Sequence, residues 1–210
     1  MVICYKLFEL IKLRIFYKII FFIIFLTSIT FAQKIQFGQA KGLFMSIGVG
    51  PRFPVGDFSQ HSSLGEGIDI GFSYTDNVFI PVFFYTKFEY QHFPGDISFY
   101  RTTDYSNFAS SSFSVNLGAR HFFQPLIRNV VLLMPIAELG ISYSIFENLH
   151  EFKIDTHKDS FIENNSKVGF HIGAGVSMFL MDVIANYNYF KSNQFISFDL
   201  KIRIPIFAKF

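Results

Sequence analysis

The chain has 210 residues, half of them apolar and a fifth aromatic, with 31 Phe and no Trp. That aromatic load is out of keeping with a small soluble domain but suits a surface facing lipid. With residues 1–32 set aside, 14 basic residues stand against 15 acidic ones and the single cysteine, Cys4, is gone, so neither nucleic-acid binding nor disulfide chemistry is indicated.

The chain opens with Lys6, Lys12, Arg14 and Lys18, an apolar stretch over Ile19–Leu26, and small residues at Thr30 and Ala32. A basic start, a short apolar stretch and small residues in that order read as a secretory signal peptide, cleaved before Gln33. Only about a dozen apolar residues follow Lys18, short of the ~20 that a spanning helix needs. The rest of the chain must therefore meet the membrane in another way.

Eight alternating segments supply it. Leu43, Met45, Ile47 and Val49 oppose Ser46, Gly48 and Gly50; Ile68, Ile70, Phe72 and Tyr74 oppose Asp69, Gly71 and Ser73. In the third, Phe84, Thr86, Phe88 and Tyr90 oppose Lys87, Glu89 and Gln91; in the fourth, Phe113, Val115, Leu117 and Ala119 oppose Ser114, Asn116, Gly118 and Arg120. The fifth sets Ala137, Leu139, Ile141 and Tyr143 against Glu138, Gly140, Ser142 and Ser144; the sixth sets Val168, Phe170 and Ile172 against Lys167, Gly169 and His171. The seventh opposes Val183, Ala185, Tyr187 and Tyr189 to Asn186 and Asn188. The eighth runs to Phe210, with Leu200, Ile202, Ile204 and Ile206 opposing Asp199, Lys201 and Arg203. A period of two puts each set on one face of a strand.

Connections 51–66, 93–111 and 147–165 are long, whereas Thr75–Asn77, Phe123–Asn129 and Phe179–Met181 are short. Alternating long and short connections between strands of this kind predict an all-β, eight-stranded antiparallel up-and-down transmembrane β-barrel, long loops outside and short turns in the periplasm. Residues 33–42 are then a short periplasmic segment and 43–210 the barrel. Closure removes the open edges that a flat meander would leave. Pro81, Pro135 and Pro205 interrupt the ladders. Pro135 predicts a fifth strand regular only from Ile136, with Val130–Met134 in a longer turn.

The inward phase carries Lys87, Arg120, Lys167, Lys201 and Arg203 against Glu89, Glu138 and Asp199, together with His171. Eight strands enclose a space that side chains fill, so these charges are expected to pair across the lumen and block ion flow. The alternative is a selectivity lining for a narrow pore. A lipid-modifying enzyme would need a Ser/His/acid constellation, and no spacing of His61, His92, His121, His150, His157 or His171 singles one out. His150, Glu151, Asp155 and His157 lack the spacing of a known metal site and read as a solvated loop. No catalytic residue, metal or cofactor is expected. In loop 93–111, Phe99, Tyr100, Arg101, Asp104, Tyr105 and Phe108 form an aromatic and polar mixture suited to recognition.

Pro54-Val-Gly-Asp-Phe58, Ser114–Arg120, Gly169–Ser177 and the alternating terminal strand resemble the bacterial outer-membrane β-barrel domain family of small eight-stranded OmpX/OmpA-like, porin-family-like barrels, over nearly all of residues 41–210. The resemblance implies a monomer in the outer membrane of a Gram-negative bacterium, in contact with its lipids. It implies that Leu200, Ile202, Ile204, Ile206 and Phe210 form the signal read by the barrel assembly machinery. A structural or adhesive role, with a possible extracellular ligand at the loops, or a minor channel role would follow.

Overall fold

A computed structural model describes residues 41–76, 82–126, 133–178 and 180–209. The strands are β1 (Lys41–Val55), β2 (Gly65–Thr75), β3 (Val82–Pro94), β4 (Tyr105–Phe122), β5 (Leu133–Phe152), β6 (Phe161–Met178), β7 (Met181–Tyr189) and β8 (Gln194–Lys209). Each pairs antiparallel with its sequence neighbour, and β8 pairs antiparallel with β1, closing an eight-stranded barrel. The predicted leader and the 33–42 segment lie outside the described residues, as do Pro81 and Phe210.

The period-two pattern decides which side of the wall each residue takes. Leu139, Phe84 and Ile202 project outward and are 64%, 62% and 56% exposed. Lys201, Glu138 and Lys87, one residue away in phase, are buried inside. Leu200, Ile204 and Ile206 share the outward face of β8 with Ile202. In water this apolar exterior would be untenable; against lipid it is the stable arrangement.

The strands are longer than the sequence pattern indicates. The long connections shrink to 56–64, 95–104 and 153–160, because β1, β4, β5 and β6 continue past the apolar band. With 18, 20 and 18 residues, β4, β5 and β6 exceed the ~9–11 that a spanning strand uses. They form a wall projecting from the long-loop end of the barrel. A short helix, α1 (Ile97–Thr102), and two 3₁₀ turns, Gly56–Gln60 and Ile154–Thr156, complete that end.

Pro135 is accommodated differently from the sequence expectation. Leu133, Met134 and Pro135 already belong to β5, paired with Met178, Ser177 and Val176 of β6. The Pro135 carbonyl accepts from Phe123 N on the β4 side, where the β4 ladder has ended at Phe122–Ile136. A residue in an extended strand presents N–H and C=O to the same side, so the missing donor costs no rung with β6. Pro205 sits at a bulge: Leu43 faces Phe207 but Phe44 faces Pro205, leaving Ile206 as the extra residue.

Candidate functional site

The lumen is built in three layers. Across its middle, five cations (Arg52, Lys87, Arg120, Lys201, Arg203) meet five carboxylates (Asp69, Glu89, Glu138, Asp182, Asp199), all buried. Arg52 reaches Asp199 at 2.7 Å, and Lys201 bridges Asp69 at 3.2 Å and Asp199 at 3.9 Å. Lys87 binds Glu89 at 2.8 Å, with Asn116 donating to the other Glu89 oxygen at 2.7 Å. Arg120 faces Glu138 across the β4–β5 ladder at 2.6 Å and also meets Asp182 at 3.3 Å, which Arg203 approaches at 3.5 Å. Buried ions are tolerated only when charge is matched and hydrogen bonds are made. The five-against-five balance meets the first condition. Asp69, Glu89 and Asp199 converge closely enough to hold a cation, but Arg52, Lys87 and Lys201 already supply one positive charge to each.

Inward glycines make room for the long side chains. On Gly67 a Cβ would lie 2.7 Å from Arg52 Nε, and on Gly48 it would collide with the Asp69 carboxylate.

Toward the long-loop end, Phe58, Phe93, Phe146, Phe190 and Phe195 form a fully buried cluster. Their rings run in sequence: Phe58–Phe93 at 4.8 Å, Phe93–Phe195 at 5.3 Å, Phe195–Phe190 at 6.3 Å and Phe190–Phe146 at 5.4 Å. At the short-turn end Phe44, Phe83 and Phe122 close ranks, with centroids 5.8 Å and 4.9 Å apart. The Arg203 guanidinium lies 4.7 Å above the Phe122 ring and 5.6 Å from Phe44. The charge layer is thus held between two aromatic layers.

Of the residues expected to form a lumen network, Lys87, Glu89, Arg120, Glu138, Asp199, Lys201 and Arg203 are brought together here. His171 is buried beside them, yet its ring nitrogens bond Tyr85 Oη and Ser142 Oγ, the latter at 2.9 Å, and it joins no ion pair. Lys167 does not belong. Its Nζ donates to the Lys191 carbonyl at 2.9 Å and to Asn193 Oδ1, and stands 5.5 Å from the Phe146 ring. The cause is that β6 rises beyond the end of β7, so Lys167 stands at the level of the aromatic plug and the β7–β8 hairpin. Sequence reasoning missed Arg52, assigned to a loop, and left Asp69 and Asp182 out of the network, although all three have the inward phase. The aromatic plug was legible in the same way, since Phe93, Phe146, Phe190 and Phe195 all fall on that phase.

Two histidines meet a serine, His171 with Ser142 at 2.9 Å and His92 with Ser111 at 3.0 Å. Ser142–His171 ends on Tyr85 rather than on a carboxylate. His150 contacts Glu163 at 3.4 Å and Tyr105 Oη at 3.2 Å, while His157 turns to the Asp155 carbonyl at 3.2 Å. The loop aromatics pack as a cap: Phe99 stacks on Tyr105 at 5.1 Å, Tyr105 on Phe152 at 4.7 Å, and Phe108 is buried. His61 lies in that cap, 5.1 Å from Phe108 and 5.5 Å from Phe58.

Burial holds the His61 imidazole below its ordinary pKa of 6.5, with His150 and Lys167 adding to the effect against Asp57. The folded cap therefore binds fewer protons than the unfolded chain as pH falls below 6.5, and it loses stability there while gaining it as pH rises. Once corrected for the intrinsic pH dependence of exchange, amides of 57–62 are expected to be better protected at pH 8 than at pH 5, a difference that His61→Phe removes. Equal protection in wild type would rule this out.

Among known proteins, no family profile matches the chain and no curated sequence does. Solved structures do. Neisserial surface protein A superposes with a TM-score of 0.52 at 16% identity, covering 80% of this chain and 99% of that one. The chain has the fold of a small outer-membrane β-barrel. The attachment invasion locus protein Ail of Yersinia pestis, solved with a heparin analogue, aligns over 80% of this chain and 99% of its own with a TM-score of 0.46 and 14% identity. The N-terminal barrel of Pseudomonas aeruginosa OprF aligns over 79% of this chain and 100% of its own, with a TM-score of 0.40 and 12% identity. At 16% identity the likeness to Neisserial surface protein A is one of fold alone.

Proposed function

We propose that this chain is a closed, non-conducting outer-membrane barrel that works at the cell surface, as a structural or recognition protein, through the wall and cap at its long-loop end. The observation that carries the reading is the bracketing of a charge-balanced ion-pair layer by two aromatic layers. A hydrated ion entering from the long-loop mouth meets buried phenylalanine before it meets a charge, one entering from the other mouth meets the half-buried Phe44, Phe83 and Phe122, and the charges beyond are already paired. A conducting lumen would need an aqueous channel, which in this fold class belongs to wider barrels.

The long-loop end faces the outside under this reading, since short turns belong to the periplasmic side. The leader directs export, the outward face of β8 meets lipid and serves the assembly machinery, and the protein is monomeric. The test is single-channel recording of the purified full-length protein in planar bilayers, alongside fractionation of cells expressing it. Silent traces from protein that sediments with outer membranes and shows heat-modifiable migration are the expected result. A steady conductance that Glu138→Gln alters would establish the pore instead, and recovery in the soluble periplasmic fraction would remove the membrane reading altogether.

A further inference from the structure

The two serine–histidine pairs among the described residues face opposite sides of the wall. Ser142–His171 is sealed in the lumen. His92 and Ser111 stand opposite one another on β3 and β4 in the outward phase, both half-buried, with His92 Nδ1 and Ser111 Oγ 3.0 Å apart. Glu66 of β2 is opposite His92 on its other side, and Glu147 of β5 is opposite Ser111. The ladders thus set Glu66, His92, Ser111 and Glu147 side by side across four strands, with directly opposed Cβ atoms about 5 Å apart. Acid, imidazole and hydroxyl follow in the order that nucleophilic serine chemistry uses.

The height of this row puts it at the edge of the bilayer. One outward step toward the short-turn end lie Ile68, Tyr90 and Phe113, opposite one another and each 50% exposed, where the apolar band begins. An acyl chain lying against these three would present its ester carbonyl at the level of Ser111. We propose that His92 and Ser111 form a site on the outside of the barrel wall that hydrolyses acyl esters of outer-leaflet lipids. In the tautomer protonated at Nε2, His92 Nδ1 takes the Ser111 proton while Oγ attacks the ester carbonyl. The bond from that carbon to the alkoxy oxygen of the lipid breaks, and the oxygen leaves as an alcohol with the proton from His92. Water, deprotonated by His92, then cleaves the acyl-serine to a fatty acid and restores both side chains. Glu66 is a positioning residue. Exposed in the resting structure, its carboxylate swings onto Nε2–H as the imidazolium forms, a tightening that such sites show on binding substrate.

This inference uses the outer-membrane placement proposed above but fails separately from it: protein that sediments with outer membranes and is hydrolytically inert fails here alone. The full-length protein is reconstituted into vesicles of dioleoyl phosphatidylglycerol, and into the same vesicles carrying lipid A, and released fatty acid is quantified. A fluorophosphonate probe is applied in parallel and the modified residue mapped by peptide mass analysis. Wild type is expected to release fatty acid at least tenfold faster than Ser111→Ala or His92→Phe and to carry the phosphonyl group on Ser111. Glu66→Gln should lower kcat several-fold with KM unchanged, and Glu66→Asp should recover part of the loss, a split that a merely structural role would not give. Heat-modifiable migration should persist in all four variants. Released oleic acid marks phospholipid as the substrate, and any other acid marks lipid A. No release from either vesicle, equal release from Ser111→Ala, or a probe that leaves Ser111 unmodified would overturn the proposal.

Discussion

Asp199→Ala is expected to destabilise the barrel by about 3–5 kcal/mol, the cost of stripping one partner from a buried ion pair. Asp199 is the carboxylate nearest Arg52, at 2.7 Å, and a second partner of Lys201. Its removal leaves five cations against four carboxylates in a buried layer. The contrast is Arg120→Met with Glu138→Leu, which removes one charge of each sign from a pair at 2.6 Å. Balance is retained in that double variant, so its loss should be much smaller than that of Asp199→Ala. Asp182 would then keep Arg203 as its partner, at 3.5 Å. Equilibrium urea unfolding in lipid vesicles measures both. A single variant that loses less than the double would show that charge matching does not govern this lumen.

Phe195→Ala should cost about 3–5 kcal/mol, the range for truncating a packed phenylalanine. The ring is buried between Phe93 at 5.3 Å and Phe190 at 6.3 Å. Phe93→Ala should cost a similar amount. Because the two rings touch, the double variant is expected to lose less than the two single losses combined. Conductance should still be absent, since the ion-pair layer and the Phe44–Phe83–Phe122 layer remain beneath. Unfolding midpoints, read as the temperature at which heat-modifiable migration is lost, check the first point and bilayer recording the second. A double variant that conducts would locate the whole barrier in the aromatic plug.

Much of this barrel could be read from the chain because a strand's two faces are assigned by a period of two. Outward Leu200, Ile202 and Ile204 and inward Asp199, Lys201 and Arg203 could be told apart without coordinates. The same parity would have drawn Phe93, Phe146, Phe190 and Phe195 into the lumen, but a scan for charges does not look for an apolar plug in a polar interior. Arg52 was hidden by a different rule: Pro51 and Pro54 made its surroundings read as a loop, yet β1 runs through both to Val55. Lys167 had the right parity and the wrong height.

The sequence by itself determined the strand count, the alternation of long and short connections and the side of the wall each residue takes, since all three follow from local periodicity and turn chemistry. Only the tertiary structure decided which charges meet, where the lumen closes and that β6 outruns β7. Those outcomes depend on strand register and stagger around a closed sheet, and stagger is set by all eight ladders together.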